Sequence, residues 1–448
     1  MVTVIDRVLK YLKQPINSAP LVIFRIAFGA LMFLSISRFI LKGWVYNMYI
    51  LPKMYFPYYG FEWVKPLAPD LMYAIFILLL ITSVGILFGA FYRLCTILFF
   101  ILFTYVELID KTNYLNHYYF VSIVAFLLIF LPANKNFSVD NKFRKNADHE
   151  NIPRFYLFII QLQLFLVYFF AGVAKVNAQW LFEAQPLKTW LPAFSHFPII
   201  GQFMESTWIA FVFCWFGCIY DLLIGFFLFN KKTVNIAYVF VIIFHAATAL
   251  FFNIGMFPYI MMTITIVFLK EEFHIKLLNK LKSLFNYSNA VGFSETNLQI
   301  KKTLLVLFSI HFLIQVILPF RYTFYSGNLF WTEQGYRFSW RVMLMEKAGT
   351  AFFYVRDKRS GREIEVDNKK YLTYMQEKMM ATQPDMMVDY AKFLKKEFQQ
   401  KGFEDPMVRA QGFVTLNGCG SREFIDPNID LSQQSNSVFK NKDWVKSY

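Results

Sequence analysis

The stretch "RFYLFIIQLQLFLVYFFAGVAKVNAQW", residues 154–180, decides the fold. Between Phe155 and Ala174 it carries no charged side chain. A run of about 20 mostly apolar residues crosses the ~30 Å hydrocarbon layer of a bilayer as an α-helix. The run closes on Lys175 and then turns polar. Tyr168, Ala171, Gly172 and Lys175 recur at helical spacing and so share one face. Two readings of the lysine follow. Its amine snorkels to the headgroups from a helix end, or it stands in a pocket.

Working outward, the same apolar character fills the chain. Of 448 residues, 57% are hydrophobic and only 17% charged, which is too apolar for a soluble protein of this size. We place spans near 20–41, 70–92, 94–109, 118–132, 154–176, 207–229, 233–251, 254–269 and 303–319. The expected fold class is an all-α polytopic membrane protein of about nine spans, embedded in the lipid bilayer, with a small extracytoplasmic α+β C-terminal region. The domains are then 1–319, a transmembrane catalytic helical domain, and 320–448. A net charge of +15 suits nucleic acid, but the lysines cluster between apolar spans, so no nucleic-acid partner is expected. One set of alternate connections holds Arg7, Lys10, Lys13, Arg93, Lys135, Lys142, Arg144, Lys145, Arg154, Lys231, Lys232 and the lysines between 270 and 302. The other set holds Lys42, Lys53, Lys65, Lys111 and Lys188. The positive-inside rule puts the N-terminus in the cytoplasm and, with an odd number of spans, residues 320–448 outside.

The N-terminal stretch has no secretory-signal pattern. Val4, Val8, Leu9 and Leu12 form an amphipathic stripe suited to the membrane surface, as does the basic run 274–286. Cys95, Cys214, Cys218 and Cys419 have no zinc spacing. Cys214 and Cys218, one helical turn apart, are too far separated for an easy disulfide. In the tail, "TAFFYVRD" and "GREIEV" read as strands around the turn Arg359-Ser360-Gly361, residues 384–401 as a helix, and "GFVTLNG" and "SREFIDP" as further strand or turn.

Awkward polar groups gather at the outer ends of the spans. "DKTNYLNHYY" (110–119) holds Asp110, Asn116 and His117. Lys175 ends the fifth span. "FHAATALFFNIGMFPYI" places His245 late in the seventh, followed by Asn253, Gly255 and Pro258. "NLFWTEQGYRFSW" (328–340) opens the tail with Trp331, Tyr336 and Trp340. Ionisable groups inside a bilayer are costly and are functional candidates by default. Each also has a plainer reading: His117 as a hydrogen-bonded loop residue, His245 as a helix contact, Asp110 as a cap or a partner of Lys111. Asp221 needs a partner inside its span, for which Arg25 and Arg38 are candidates. The chain has no Walker loop, GxGxxG unit, HExxH or GxSxG. Its histidines form no evident metal cluster, and no metal is expected. Amine, imidazole, amide, phenol and indole groups in apolar surroundings suit proton transfer on a lipid-soluble substrate.

These stretches, with "NKNFSVD", "DLLIGFFLF" and "FIDPNIDL", resemble the vitamin K-dependent γ-glutamyl carboxylase family, including its bacterial members of the horizontally transferred transmembrane domain type. Seven motifs lie in order from about residue 20 to the C-terminus. The resemblance implies Lys175, in "AGVAK", as the proposed catalytic base, and His117 as a second catalytic residue. Asn116, Asp110 and His245 would hold the quinone, and Trp331, Tyr336 and Trp340 the glutamyl substrate. Reduced vitamin K, as menaquinol if the host is bacterial, would be the cofactor, with dioxygen and carbon dioxide as co-substrates. The implied partner is a protein or peptide glutamyl substrate on the extracytoplasmic side, and the implied location is the inner membrane of a bacterial host. A lysine amine in water is protonated at neutral pH and accepts no proton; apolar surroundings favour the neutral amine that a base requires.

The chain departs from the family in places. "SWRVMLMEK" places Met345 and Lys347 where animal enzymes carry histidine and arginine. Cys95 matches a family cysteine whose disulfide partner would fall in "DYAKFL", which has none. The long C-terminal lumenal region of the animal enzymes is missing, so propeptide binding of the animal kind is not expected. The resulting expectation is vitamin K hydroquinone epoxidation coupled to glutamate carboxylation. The alternatives are epoxidation without protein carboxylation and a non-catalytic quinone-binding or transport protein.

Overall fold

The structure is a computed structural model that describes residues 4–143, 151–252, 254–287 and 299–448. Arg144, Lys145 and Asn253, singled out above, lie outside the described residues, as does the side chain of Val4. Each expected span has a helix: α1 (Ala19–Leu41), α2 (Pro69–Phe88), α3 (Tyr92–Ile109), α4 (Asn116–Phe130), α5 (Arg154–Lys175), α6 (Thr207–Phe229), α7 (Val234–Phe251), α8 (Phe257–Phe268) and α9 (Lys302–Ile317). Among the described residues, seven are long and apolar enough to cross a bilayer, α9 doing so with the 3₁₀ turns that extend it to Phe324. The other two, α4 and α8, are shorter. Helix α4 has 15 residues and rises only about 22 Å. It runs from Asn116 to Phe130, two residues ahead of the expected span at each end, and the polar chain before it is folded inward. Asp110, Lys111 and Thr112 are all buried, Asp110 caps a short turn through the Thr112 amide, and the Lys111 amide donates to the Phe56 carbonyl.

Helix α2 stops at Phe88 rather than running on to 92. Gly89 follows it in the left-handed region, with φ 61°, where a residue lacking Cβ is favoured. A Cβ there would stand 1.6 Å from Arg25 Nη1.

The connections sort onto two ends of the bundle. At the basic end, Pro15–Asn17 pairs antiparallel with Asn151–Pro153, Asp140 accepts from the Phe91 and Tyr92 amides, and Glu271 accepts from the Asn17 amide. At the other end, Lys53 donates to the Lys370 carbonyl, Gln376 to the Met54 carbonyl and Asn417 to Gln179. The C-terminal region docks on this second end. It is a four-stranded antiparallel sheet of β1 (Lys347–Asp357), β2 (Glu363–Val366), β3 (Pro406–Leu416) and β4 (Arg422–Glu423), in the order β2-β1-β3-β4. Helix α10 (Pro384–Gln400) packs on the sheet. Strand β3 alternates buried and more exposed residues along its length, as a sheet covered on one face must. Phe353, Val355, Tyr390, Leu394 and Val408 form the shared core.

Candidate functional site

Lys175 is the last residue of α5, yet its amine does not reach for the surface. It turns into the bundle, 6% exposed, and donates to Asp221 Oδ2 on α6 at 2.5 Å and to the Ala171 carbonyl at 3.3 Å. The Trp180 ring lies 5.5 Å from the amine. Asp221 therefore finds its partner in Lys175. Arg25 is committed elsewhere, donating to the Phe137 carbonyl at 2.6 Å near the basic end, and Arg38 lies over the Trp44 ring. The close meeting of α5 and α6 depends on a missing side chain. A Cβ on Gly172 would lie 2.6 Å from the Leu222 backbone nitrogen, so any other residue pushes the helices apart. Leu222 is the neighbour of Asp221 in sequence, so this contact sets the depth at which the carboxylate meets the amine.

Lys175 and Asp221 open onto an apolar pocket bounded by Phe213, Phe244, Phe252 and Phe257, with Tyr168, His245 and Thr248 among its further polar residues. His245 Nε2 lies 3.2 Å from the Tyr168 hydroxyl, which also meets Thr265 Oγ1 at 3.1 Å. Among the described residues, His245 Nδ1 is buried without a hydrogen-bond partner. A buried polar atom left unpaired is costly, and a ligand hydroxyl or carbonyl in the pocket would satisfy it. Val342 and Met343, from the segment that leads out of the span region into the sheet, close one wall. That segment is backbone-strained. Phe338, Trp340 and Met343 all have φ near +60°, a conformation non-glycine residues adopt at a cost and mostly where function holds them.

The other expected residues lie at varying distances from this pocket. His117 stands beyond Phe257, whose ring it faces at 5.9 Å while His245 faces the same ring at 5.8 Å. Asn116 accepts from the Tyr114 hydroxyl and donates to the Arg341 carbonyl, next to Val342. Trp340 stacks on Tyr119, with ring centroids 5.1 Å apart, and its indole nitrogen is buried without a partner. Tyr336 packs against Phe330. Trp331 is buried in the core of the C-terminal region, donating from Nε1 to the Lys446 carbonyl. Asp110 does not pair with Lys111. It accepts from the Thr112 amide and from Gln376 of the C-terminal region. Lys111 instead meets Asp389 at 2.6 Å and Asp385 at 2.9 Å, and Asp385 also takes Arg337 at 2.8 Å.

This cluster, which sequence reading missed, fastens the outer region to the bundle. Burial alone would raise Asp385, but the Arg337 and Lys111 charges outweigh it and hold the carboxyl well below its usual range. Burial raises Asp389, only partly offset by Lys111. Lys111 is more than 200 residues from either carboxylate and Arg337 is 48 residues from Asp385, so no local pattern could have paired them. Lys347, which stands in place of the family's arginine, is bound to Glu333 at 2.9 Å.

Fold and site together define a multi-pass integral membrane protein whose helical domain holds a buried amine–carboxylate pocket beneath an α+β cap. The family model of the HTTM domain matches residues 13–273, and that of the vitamin K-dependent gamma-carboxylase lumenal domain matches residues 300–448. No solved structure matches the chain. The chain belongs to the vitamin K-dependent gamma-carboxylase family.

Proposed function

We propose that the protein is a vitamin K-dependent γ-glutamyl carboxylase and that the Lys175 pocket is where reduced vitamin K reacts. The observation that carries this reading is the buried Lys175–Asp221 pair facing an apolar, aromatic-walled pocket with the unpaired Nδ1 of His245. When bound, a reduced naphthoquinone and dioxygen would supply a base strong enough to take the γ-proton of a glutamyl side chain, to which carbon dioxide then adds, leaving the quinone as its epoxide.

The chain's own groups do the following. The Lys175 amine donates to Asp221 in the resting pair. Transfer of that proton to Asp221 would free the amine to accept another from a hydroxyl in the pocket, and the ammonium so formed would stand next to the new anion and stabilise it. His245 Nδ1 hydrogen-bonds and orients the ring oxygen, while Tyr168 and Thr265 fix the imidazole from its other nitrogen. His117 and Asn116 border the far wall, and Asp110 ties the outer region in place over it. The aromatic walls, with Val342 and Met343, exclude water that would quench a strong base. Tyr336 shapes the outer approach for the glutamyl peptide, and the buried Trp331 and Trp340 hold that segment in place. On this reading the basic end of the bundle faces the cytoplasm, and residues 320–448 meet the substrate outside, across the inner membrane if the host is bacterial.

Lys175→Arg tests the base. Arginine keeps the charge and the partner but stays protonated. Vitamin K epoxide formation by the purified, folded variant is expected to fall by about 10²–10⁴-fold. A folded variant with near wild-type epoxidation overturns the assignment.

A further inference from the structure

A second pair of cavities lies on a different side of the bundle and shares no lining residue with the Lys175 pocket. One is polar, with about 270 Å³ of space, and sits between the bundle and the C-terminal region. The other is an apolar cavity of about 390 Å³ among α3, α4 and α9, walled by Phe100, Ile123 and Phe126. The two adjoin, because Tyr58, Phe61, Leu108 and Phe338 line both. Only 17% of the most apolar stretch of α9 and its 3₁₀ extension is buried, so most of that helix faces outward beside the apolar cavity that its His311 and Gln315 line.

The charges of the polar cavity do not cancel. Lys111 and Arg337 are neutralised by Asp385 and Asp389, and Glu333 by Lys347. Arg321 and Lys442 remain. Arg321 donates through Nη2 to the Arg337 carbonyl, but its Nε is buried with no partner among the described residues. Lys442 feels Asp385 and Asp389 at longer range, but among the described residues its hydrogen bond is to the amide oxygen of Asn436, at 3.4 Å, and it makes no ion pair. Between the two cavities, next to the shared Leu108, come Glu107 and then Thr104, whose Oγ1 is buried without a partner. The order is therefore two spare cations, a polar level, and an apolar groove beside α9.

We infer that this double cavity binds an anionic glycerophospholipid of the leaflet on the side of the C-terminal region. Its phosphate lies against Arg321 and Lys442, its glycerol at the level of Glu107 and Thr104, and one acyl chain along Phe100, Ile123 and Phe126. The lipid bridges α9, the least buried of the long apolar helices, to the docked C-terminal region and keeps the two in register.

The test uses the full-length protein in a neutral detergent, with phosphatidylglycerol, phosphatidylcholine, inorganic phosphate or a Glu-rich peptide added. Retained lipid is counted by native mass spectrometry, and the thermal midpoint is followed in parallel. Phosphatidylglycerol should be retained and should raise the midpoint, phosphatidylcholine much less, and inorganic phosphate not at all, because it lacks the chain. Arg321→Gln and Lys442→Gln should each weaken phosphatidylglycerol retention about fivefold, and Ile123→Trp should block it by filling the groove. Equal retention of the two lipids, or displacement of phosphatidylglycerol by the Glu-rich peptide, overturns the proposal; the latter would make the polar cavity a peptide site. The wild-type competition does not depend on whether any variant folds, and none of these readouts depends on the Lys175 chemistry.

Discussion

Removing one member of the Lys175–Asp221 pair should cost far more than removing both. The two groups are 2.5 Å apart with side chains 8% and 7% exposed, so neither has water to fall back on. Asp221→Leu leaves a buried ammonium, and Lys175→Met leaves a buried carboxylate. Breaking a pair this deep typically costs about 3–5 kcal/mol, whereas replacing both members with apolar residues of similar size is often close to neutral. At about 2–4 °C per kcal/mol for a large domain, each single variant should lose roughly 6–20 °C in thermal midpoint. The Lys175→Met/Asp221→Leu double variant should recover most of that loss. The assay is tryptophan-monitored unfolding of the four purified proteins in one detergent, beside epoxide formed per mole of enzyme. The double variant should be stable and inactive, which separates the pair's chemical role from its structural one. If each single variant unfolds within about 2 °C of wild type, or the double variant loses the sum of the two, the pair is not the coupled buried unit described above.

Other outcomes follow from the same geometry. Gly172→Ala places a Cβ against the Leu222 backbone and should cost about 1–3 kcal/mol together with most of the epoxidation. Gly217→Ala, whose Cβ would meet nothing nearer than 3.8 Å, should be tolerated, and equal losses in the two variants would refute the close-packing argument. Asp385 has its carboxyl held low in the folded state, so it contributes stability above the ordinary carboxylate range that is lost as pH falls through the folded value. Acid unfolding profiles should therefore show Asp385→Asn losing stability at neutral pH and flattening below about pH 4. Asp389, which burial raises, should give a smaller loss at neutral pH when changed to asparagine. In a Cys419→Ser background, an impermeant thiol reagent applied from outside should label a cysteine at Lys369 and not one at Lys231; the reverse pattern would invert the proposed orientation. Tyr336→Phe should reduce glutamate carboxylation more than hydroquinone epoxidation, and equal losses would place Tyr336 in service of the quinone pocket.

The sequence by itself determined that this is a membrane protein, where its helices run and which connections share an end. Those features follow from local run length, charge counts and turn chemistry. It also put Tyr168, Ala171, Gly172 and Lys175 on one face, and that face is the one that packs on α6. The motifs it offered were enough for the family resemblance that the HTTM and lumenal-domain matches bear out. What it left open was every pairing between distant segments. Whether Lys175 snorkels or turns inward depends on what stands opposite, and only the contact of Gly172 with Leu222 brings Asp221 there. The same holds for Lys111, which reading in sequence set beside Asp110 and the fold gives to Asp385 and Asp389. Helix ends differed where tertiary structure intervened: α2 stops at Phe88, where Gly89 packs against Arg25, and α4 follows a polar loop that is drawn inward and satisfied there by Phe56 and Gln376. A buried charge must find its counter-charge wherever the fold supplies it, and a single sequence carries no record of which segments meet.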